Sequence, residues 1–337
     1  LGRRMFASDP VGFWSGLLLA LNGFALGLSR IVQYQAAVLL LMVLAVLAAW
    51  RFAERGALRW LVLAALLSAW GLTLHYEFAL VAPALLFLLW KGWPAVMDKR
   101  RALWQLTLTT LAGVVWLAAV YVPLYLNPFF SQTQSYLGTR LGSLGSTFNL
   151  SFFIEMGTFY NSVYFFLGLI LLMVAGIFIG WRTERSATIA LSLWFAPFLV
   201  LYLFIVQFPG THFYLLMPSW SVLAAVTIGI GLHRGVWGES RGSVAPFGER
   251  PPVRAAAHVV LFGVVALWIA VSSYYLYLIF FRQNPEYLIN YQAERAPLYW
   301  APYGENVPEK PRFGFPIWEG WKTLGVLSEW KAVSYTH

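Results

Sequence analysis

Apolar residues along the chain gather into nine runs, separated by short polar stretches or by segments bearing glycine and proline. The runs are Val11 to Leu28, Gln35 to Trp50, Trp60 to Leu74, Phe78 to Trp90, Leu103 to Val122, Phe159 to Gly180, Ala187 to Val206, Tyr214 to Leu232 and Ala256 to Phe281. About 20 apolar residues rising 1.5 Å each cross a hydrocarbon core of about 30 Å, so the pattern predicts an all-α polytopic membrane protein of about nine spanning segments. The third and fourth runs are short for a full crossing. Only His75, Tyr76 and Glu77 part them, which predicts a helical hairpin with a polar turn just inside the membrane.

Charge gives this string of segments a direction. Sorted by alternate loops, fifteen of the 23 Lys and Arg fall on one side, among them Arg3, Arg4, Arg51, Arg55, Arg59, Lys91, Lys99, Arg100, Arg101, Arg182 and Arg185. The connecting loops of the other side hold only Arg30 and Arg140. The positive-inside rule makes the basic side cytoplasmic, with the N-terminus inside and the tail after Phe281 outside. Composition agrees with this setting: 60% of the 337 residues are hydrophobic and 11% charged, against about 25% charged in a soluble domain. The net charge of +9 is thus a matter of membrane topology, with no nucleic-acid partner expected, and the absence of cysteine excludes disulfides and thiolate chemistry.

The connecting segments differ in kind. His233 to Arg254 reads as a mobile connector rich in glycine, proline and charge, whereas Pro123 to Gly157 reads as a long outer loop of the kind that carries function. No internal repeat is present, which disfavours an inverted-repeat transporter. Residues 1–281 form the expected membrane domain. Residues 282–337 turn soluble in composition, with a helix-like stretch at Gly320 to Trp330, and read as the start of an outer domain.

Ionisable groups in or near spans are functional candidates because each is expensive there. Arg30, closing the first span on the outer side, is placed either for a phosphate or as an interfacial arginine whose head reaches water. Arg140 lies in Tyr136-Leu137-Gly138-Thr139-Arg140-Leu141-Gly142, either an anion contact or a solvated loop charge. His212, in Pro209-Gly210-Thr211-His212-Phe213-Tyr214, is a phosphate contact, a metal ligand or proton donor, or a structural hydrogen-bonder. His75, Tyr76 and Glu77 form a candidate cavity, with interfacial placement of Glu77 the alternative; His258 reads as a packed or interfacial histidine. Both aspartates, Asp9 and Asp98, fall on the basic side, and no acidic pair, glycine-rich phosphate loop or metal-spaced histidine cluster is present.

Gly2-Arg3-Arg4-Met5-Phe6, a span closing in Ala25-Leu26-Gly27-Leu28-Ser29-Arg30, and Tyr34 just beyond resemble the GT-C glycosyltransferases. The similarity is to family 39, the dolichyl-phosphate-mannose protein mannosyltransferases and bacterial lipid A aminoarabinose transferases. Gly71-Leu72-Thr73-Leu74-His75-Tyr76, Tyr136 to Gly142, and Gly210 to Tyr214 with Pro218 follow in the family's order, so the resemblance covers about residues 1–280. It implies a polyprenyl-phosphate sugar donor, an extracytoplasmic glycan, lipid or protein acceptor, and a bacterial inner-membrane location. Arg140 would bind the donor phosphate with His212 and Arg30 nearby, and His75, Tyr76, Glu77, Tyr136 and Tyr214 would line the cavity. The family's acidic base lies in a loop ahead of the region matched here, so no catalytic residue is assigned within this chain, which is expected to be an inactive fragment truncated at both ends. A divalent metal is left open. A lipid-linked sugar flippase or transporter is the alternative function, and a structural membrane subunit the third.

Overall fold

The computed structural model describes residues 1–29, 34–140, 148–158, 161–206, 210–232, 252–278 and 280. All regular structure among them is helical. The helices are α1 (Gly2–Met5), α2 (Asp9–Ala20), α3 (Gly23–Ser29), α4 (Tyr34–Arg55), α5 (Leu58–Leu74), α6 (Ala82–Gly92), α7 (Lys99–Tyr125), α8 (Phe130–Arg140), α9 (Leu150–Gly157), α10 (Val163–Thr183), α11 (Arg185–Phe204), α12 (Met217–Val226) and α13 (Pro252–Tyr277). Tight 3₁₀ turns at Tyr76–Val81 and Gly210–Leu216 lead into α6 and α12, and a π-helical turn at Thr227–Leu232 follows α12.

Local chemistry sets many of the starts. Ser8, Asp98 and Ser162 each accept a backbone N–H in the first turn of α2, α7 and α10, and proline stands in the first turn of α2, α6 and α12, where its missing N–H is no loss. Among the described residues, seven helices are long and apolar enough to cross a membrane. Among the described residues each of the nine sequence runs falls largely on helix, with two differences. α5 stays at 17 residues, while the fourth run is lengthened by 3₁₀ turns at both ends to 20 residues, Tyr76–Ala95.

The other difference is a break in the first run. Asn22 accepts the N–H groups of Phe24 and Ala25 on Oδ1, at 3.1 Å each, and so ends α2 and starts α3. It is completely buried, as is Asn161, whose Oδ1 accepts the Gly23 N–H at 2.7 Å while its Nδ2 donates to Gly157 O at 2.9 Å. Two asparagines thus satisfy backbone at a three-way junction of α2–α3, the end of α9 and the start of α10. The long segment from Pro123 to Gly157 also departs from a plain loop, since α7 runs on to Tyr125 and α8 and α9 follow.

α12 is the axis of the bundle. Every one of its residues is buried, between α2 on one side and α10 and α11 on the other. Small residues permit the approach: a Cβ on Gly176 of α10 would lie 1.8 Å from the Leu223 carbonyl oxygen of α12. Aromatic side chains fill the interior, with Trp220 of α12 edge-on to Phe153 and Phe195. By contrast the central stretch of α7 is exposed along its length, as a lipid-facing helix is. At one end of the bundle lie Arg3, Arg4, Arg51, Arg55, Arg59, Lys91, Lys99, Arg100 and Arg101, with Arg4 bonded to Glu54 at 3.0 Å and Lys91 over the Trp50 ring.

Gly176→Ala is expected to lower stability by about 1–3 kcal/mol through overpacking, read as a fall in the thermal unfolding midpoint in detergent. Gly263→Ala, where nothing lies within 4 Å of the added Cβ, should leave the midpoint unchanged. For Asn161→Leu, the orphaned Gly23 N–H predicts a loss of about 1–3 kcal/mol in the same assay.

Candidate functional site

At the end of the bundle opposite the arginines, α5 stops at His75. This residue is extended (φ −163°, ψ 136°), and its Nδ1 accepts the Glu77 N–H at 3.3 Å, capping the following 3₁₀ turn. Gly71 makes the turn possible. The Phe78 ring folds back onto α5 there, so close that a Cβ on Gly71 would sit 2.1 Å from Cδ2. The Gly71-Leu72-Thr73-Leu74-His75-Tyr76 motif is therefore a packing device that aims three polar side chains at one place.

Glu77 is 5% exposed. A buried carboxylate must find donors, and this one finds His212, whose Nδ1–H donates to Oε2 at 2.7 Å. His212 sits on the Gly210–Leu216 turn, 135 residues further along the chain. His75 Nδ1 lies 3.4 Å from the same oxygen; because that nitrogen already accepts the Glu77 N–H, this approach is a close contact, and His75 keeps its hydrogen on Nε2 in the neutral form. Two imidazoles thus flank one carboxylate with opposite settings. His75 offers an Nε2–H donor; His212, held through Nδ1, offers Nε2 as acceptor when neutral and as charged donor when protonated.

Aromatic rings complete the cluster. Tyr34 stacks on His75 at 4.4 Å with the planes 7° apart. Tyr76 lies 4.2 Å from His75 on another side, and His75 and His212 are themselves stacked at 5.7 Å. Tyr202 of α11, which sequence reasoning missed, stands 6.3 Å from His212. The hydroxyls of Tyr202 and Tyr214 are both buried close to Glu77, and that of Tyr214 has no hydrogen-bond partner among the described residues.

Of the sequence candidates, His75, Tyr76, Glu77, His212 and Tyr214 therefore come together. Arg30 lies outside the described residues, as do residues 282–337 and most of the connector His233 to Arg254. Tyr136, Arg140 and His258 are described by helical backbone alone, in α8 for the first two and α13 for the third. The start of α9 is tied to the elements that carry the histidine turn: the Asn149 side chain donates to the carbonyls of Tyr202 and Val206 at the end of α11, and Phe153 of α9 packs on Phe213 at 4.7 Å. Among the described residues no three His, Asp or Glu side chains are arranged to hold a metal ion. The signal for Tyr202 was unreadable locally, since a tyrosine in an apolar run reads as interface or core until its partner on another helix is known.

Removing one partner from a buried, charge-assisted pair costs about 3–5 kcal/mol, whereas an exposed pair is worth about 0–1 kcal/mol. Glu77→Ala is accordingly expected to lower the unfolding midpoint well below that of Glu54→Ala, which breaks the more exposed pair with Arg4; equal midpoints would show that the Glu77–His212 contact does not form.

Comparison with known proteins adds a family. Neither the curated proteins nor the solved structures contain a match to this chain. Residues 1–126 match the model of the family described as dolichyl-phosphate-mannose-protein mannosyltransferase. Over the segment that carries α1 to α7, and with it Tyr34, His75 and Glu77, the chain is similar to that family of GT-C membrane glycosyltransferases.

Proposed function

We propose that the protein acts in glycosyl transfer from a polyprenyl-phosphate-linked sugar to an extracytoplasmic glycan, lipid or protein acceptor, with the cluster around Glu77 and His212 forming part of the donor site. The observation that carries this reading is the 2.7 Å contact between Glu77 and His212. It unites a residue inside the matched family segment with one far outside it, at one end of an otherwise apolar bundle. The likeness of residues 1–126 to a family of mannosyltransferases supports the reaction class.

In this reaction the acceptor hydroxyl oxygen attacks the anomeric carbon, its proton passes to a carboxylate base, and the lipid phosphate leaves with the bonding electrons. The leaving group needs positive charge or strong donors aimed at it, and in a dry site such groups act with little screening. His212, held through Nδ1 by the Glu77 carboxylate, would turn Nε2 to a phosphate oxygen, and His75 Nε2–H would be a second donor. Arg140, His212 and Arg30 are the proposed phosphate ligands, and Tyr76, Tyr136 and Tyr214 the aromatic wall against the sugar. A bacterial inner-membrane setting, with the arginine-rich end cytoplasmic and the Glu77 end outside, fits the distribution of basic residues. The flippase alternative calls for polar groups at mid-membrane depth in broken helices, whereas this cluster sits where α5 ends and α12 begins.

Binding of polyprenyl phosphate to the chain in lipid nanodiscs is expected to weaken at least about tenfold in Arg140→Ala and in His212→Ala, each removing one hydrogen bond to a charged group worth about 1.5–3 kcal/mol. Unchanged affinity in both variants would overturn the assignment. Movement of a labelled lipid-linked sugar across proteoliposomes without transfer would favour the flippase instead.

A further inference from the structure

The end of the bundle remote from Glu77 carries a second site. Where α5 and α7 begin, they enclose a groove of about 770 Å³ with Arg59, Arg101 and Gln105 among its polar lining and Trp60, Leu63 and Leu66 among its apolar lining. α5 and α7 run in the same direction, because α6 returns the chain between them, and they are bonded at their far ends by Tyr121 Oη–H to the Leu72 carbonyl and Trp116 Nε1–H to Thr73 Oγ1. Along each helix the order of residue types is the same. On α5, Arg59 is followed at helical spacing by exposed Leu63, Leu66 and Trp70; on α7, Arg101 is followed by Gln105 and exposed Leu108. Guanidinium comes first and hydrocarbon surface one to three turns deeper.

Neither arginine is neutralised. Among the described residues no carboxylate pairs with Arg59 or Arg101: Asp98 is used by its Oδ1 to cap α7, and Glu54 is held by Arg4, with Arg51 and Trp50 beside it. Arg59 instead lies over the Trp60 ring, 5.4 Å from its centroid. Behind the groove a small separate core of Phe52, Leu61, Val96 and Ala102 fixes the bases of the two helices, and Gly56, at φ +61°, lets the α4–α5 turn press on the Ala95 carbonyl. The walls are thus held apart from the cluster at Glu77, some 16 residues up α5, roughly 24 Å away.

We propose that this groove binds an anionic glycerophospholipid of the leaflet at the basic end, its phosphate between Arg59 and Arg101, Gln105 donating to a headgroup or ester oxygen, and its acyl chains along Leu63, Leu66 and Leu108. Charge complementarity selects an anionic headgroup, since basic pockets between membrane helices recognise such lipids, and planar guanidinium groups suit phosphate oxygens. The apolar wall selects a lipid over a free phosphate, which would leave Leu63 and Leu66 without a partner.

The test uses the whole chain in nanodiscs of phosphatidylcholine with phosphatidylglycerol, reading retained lipid by native mass spectrometry after mild delipidation. Retention of phosphatidylglycerol over phosphatidylcholine is expected, falling roughly tenfold in the Arg59→Gln/Arg101→Gln double variant, with the unfolding midpoint and polyprenyl phosphate binding unchanged. Leu63→Ser/Leu66→Ser should weaken phosphatidylglycerol retention while leaving the arginines in place. Equal retention by wild type and the arginine variant, no preference between the two lipids, or displacement of the lipid by inorganic phosphate alone would each overturn the proposal. Should the double variant fail to fold, Arg59→Gln alone carries the test, with a smaller loss expected and an unchanged retention counting against the site.

Discussion

A carboxylate without water must be enclosed by donors, and that requirement organises one end of this protein. Glu77 cannot lie at 5% exposure unless His212 reaches it. His212 can reach it only if the turn before α12 is held against the turn after α5. The aromatic stack of Tyr34 on His75, the fold-back of Phe78 onto Gly71 and the anchoring of Asn149 to the end of α11 all serve that closure. The polar cluster and the apolar bundle are thus two aspects of one arrangement, in which packing positions the carboxylate and the carboxylate fixes the tautomer of the imidazole it meets.

Much of the architecture was legible along the chain. Nine apolar runs appear as helix, and the basic residues collect at one end, because both follow from the cost of exposing polar groups to hydrocarbon. The polar turn between the third and fourth runs was equally readable, since three hydrogen-bonding side chains in succession interrupt an apolar sequence. What the pattern could not convey was partnership. Nothing local says that Glu77 meets His212 or that Tyr202 joins them, because those contacts depend on how helices far apart in sequence are packed. The break at Asn22 left a trace, a lone asparagine before glycine, but its reason is Asn161 on a different element. Pro123 to Gly157 looked like a loop because its polar residues mask helical spacing, and α8 and α9 emerge from it.

The two ends of the bundle divide their chemistry. At one, the guanidinium groups of Arg59 and Arg101, without a carboxylate partner among the described residues, line a groove with apolar walls, an arrangement for holding something at the surface. At the other, ionisable groups face each other, the Glu77 carboxylate lying between two stacked imidazoles. The length of α5 separates the two sets of charges by roughly 24 Å.

The enclosure of α12 bears on how the molecule is made. Its packing neighbours α2, α10 and α11 all precede it in the chain. A ribosome delivering this polypeptide into the bilayer therefore releases the central strut when most of the surfaces that will surround it have already been synthesised. The entry of α12 is thus the filling of a waiting slot, and the turn carrying His212 arrives at its carboxylate as part of that same event.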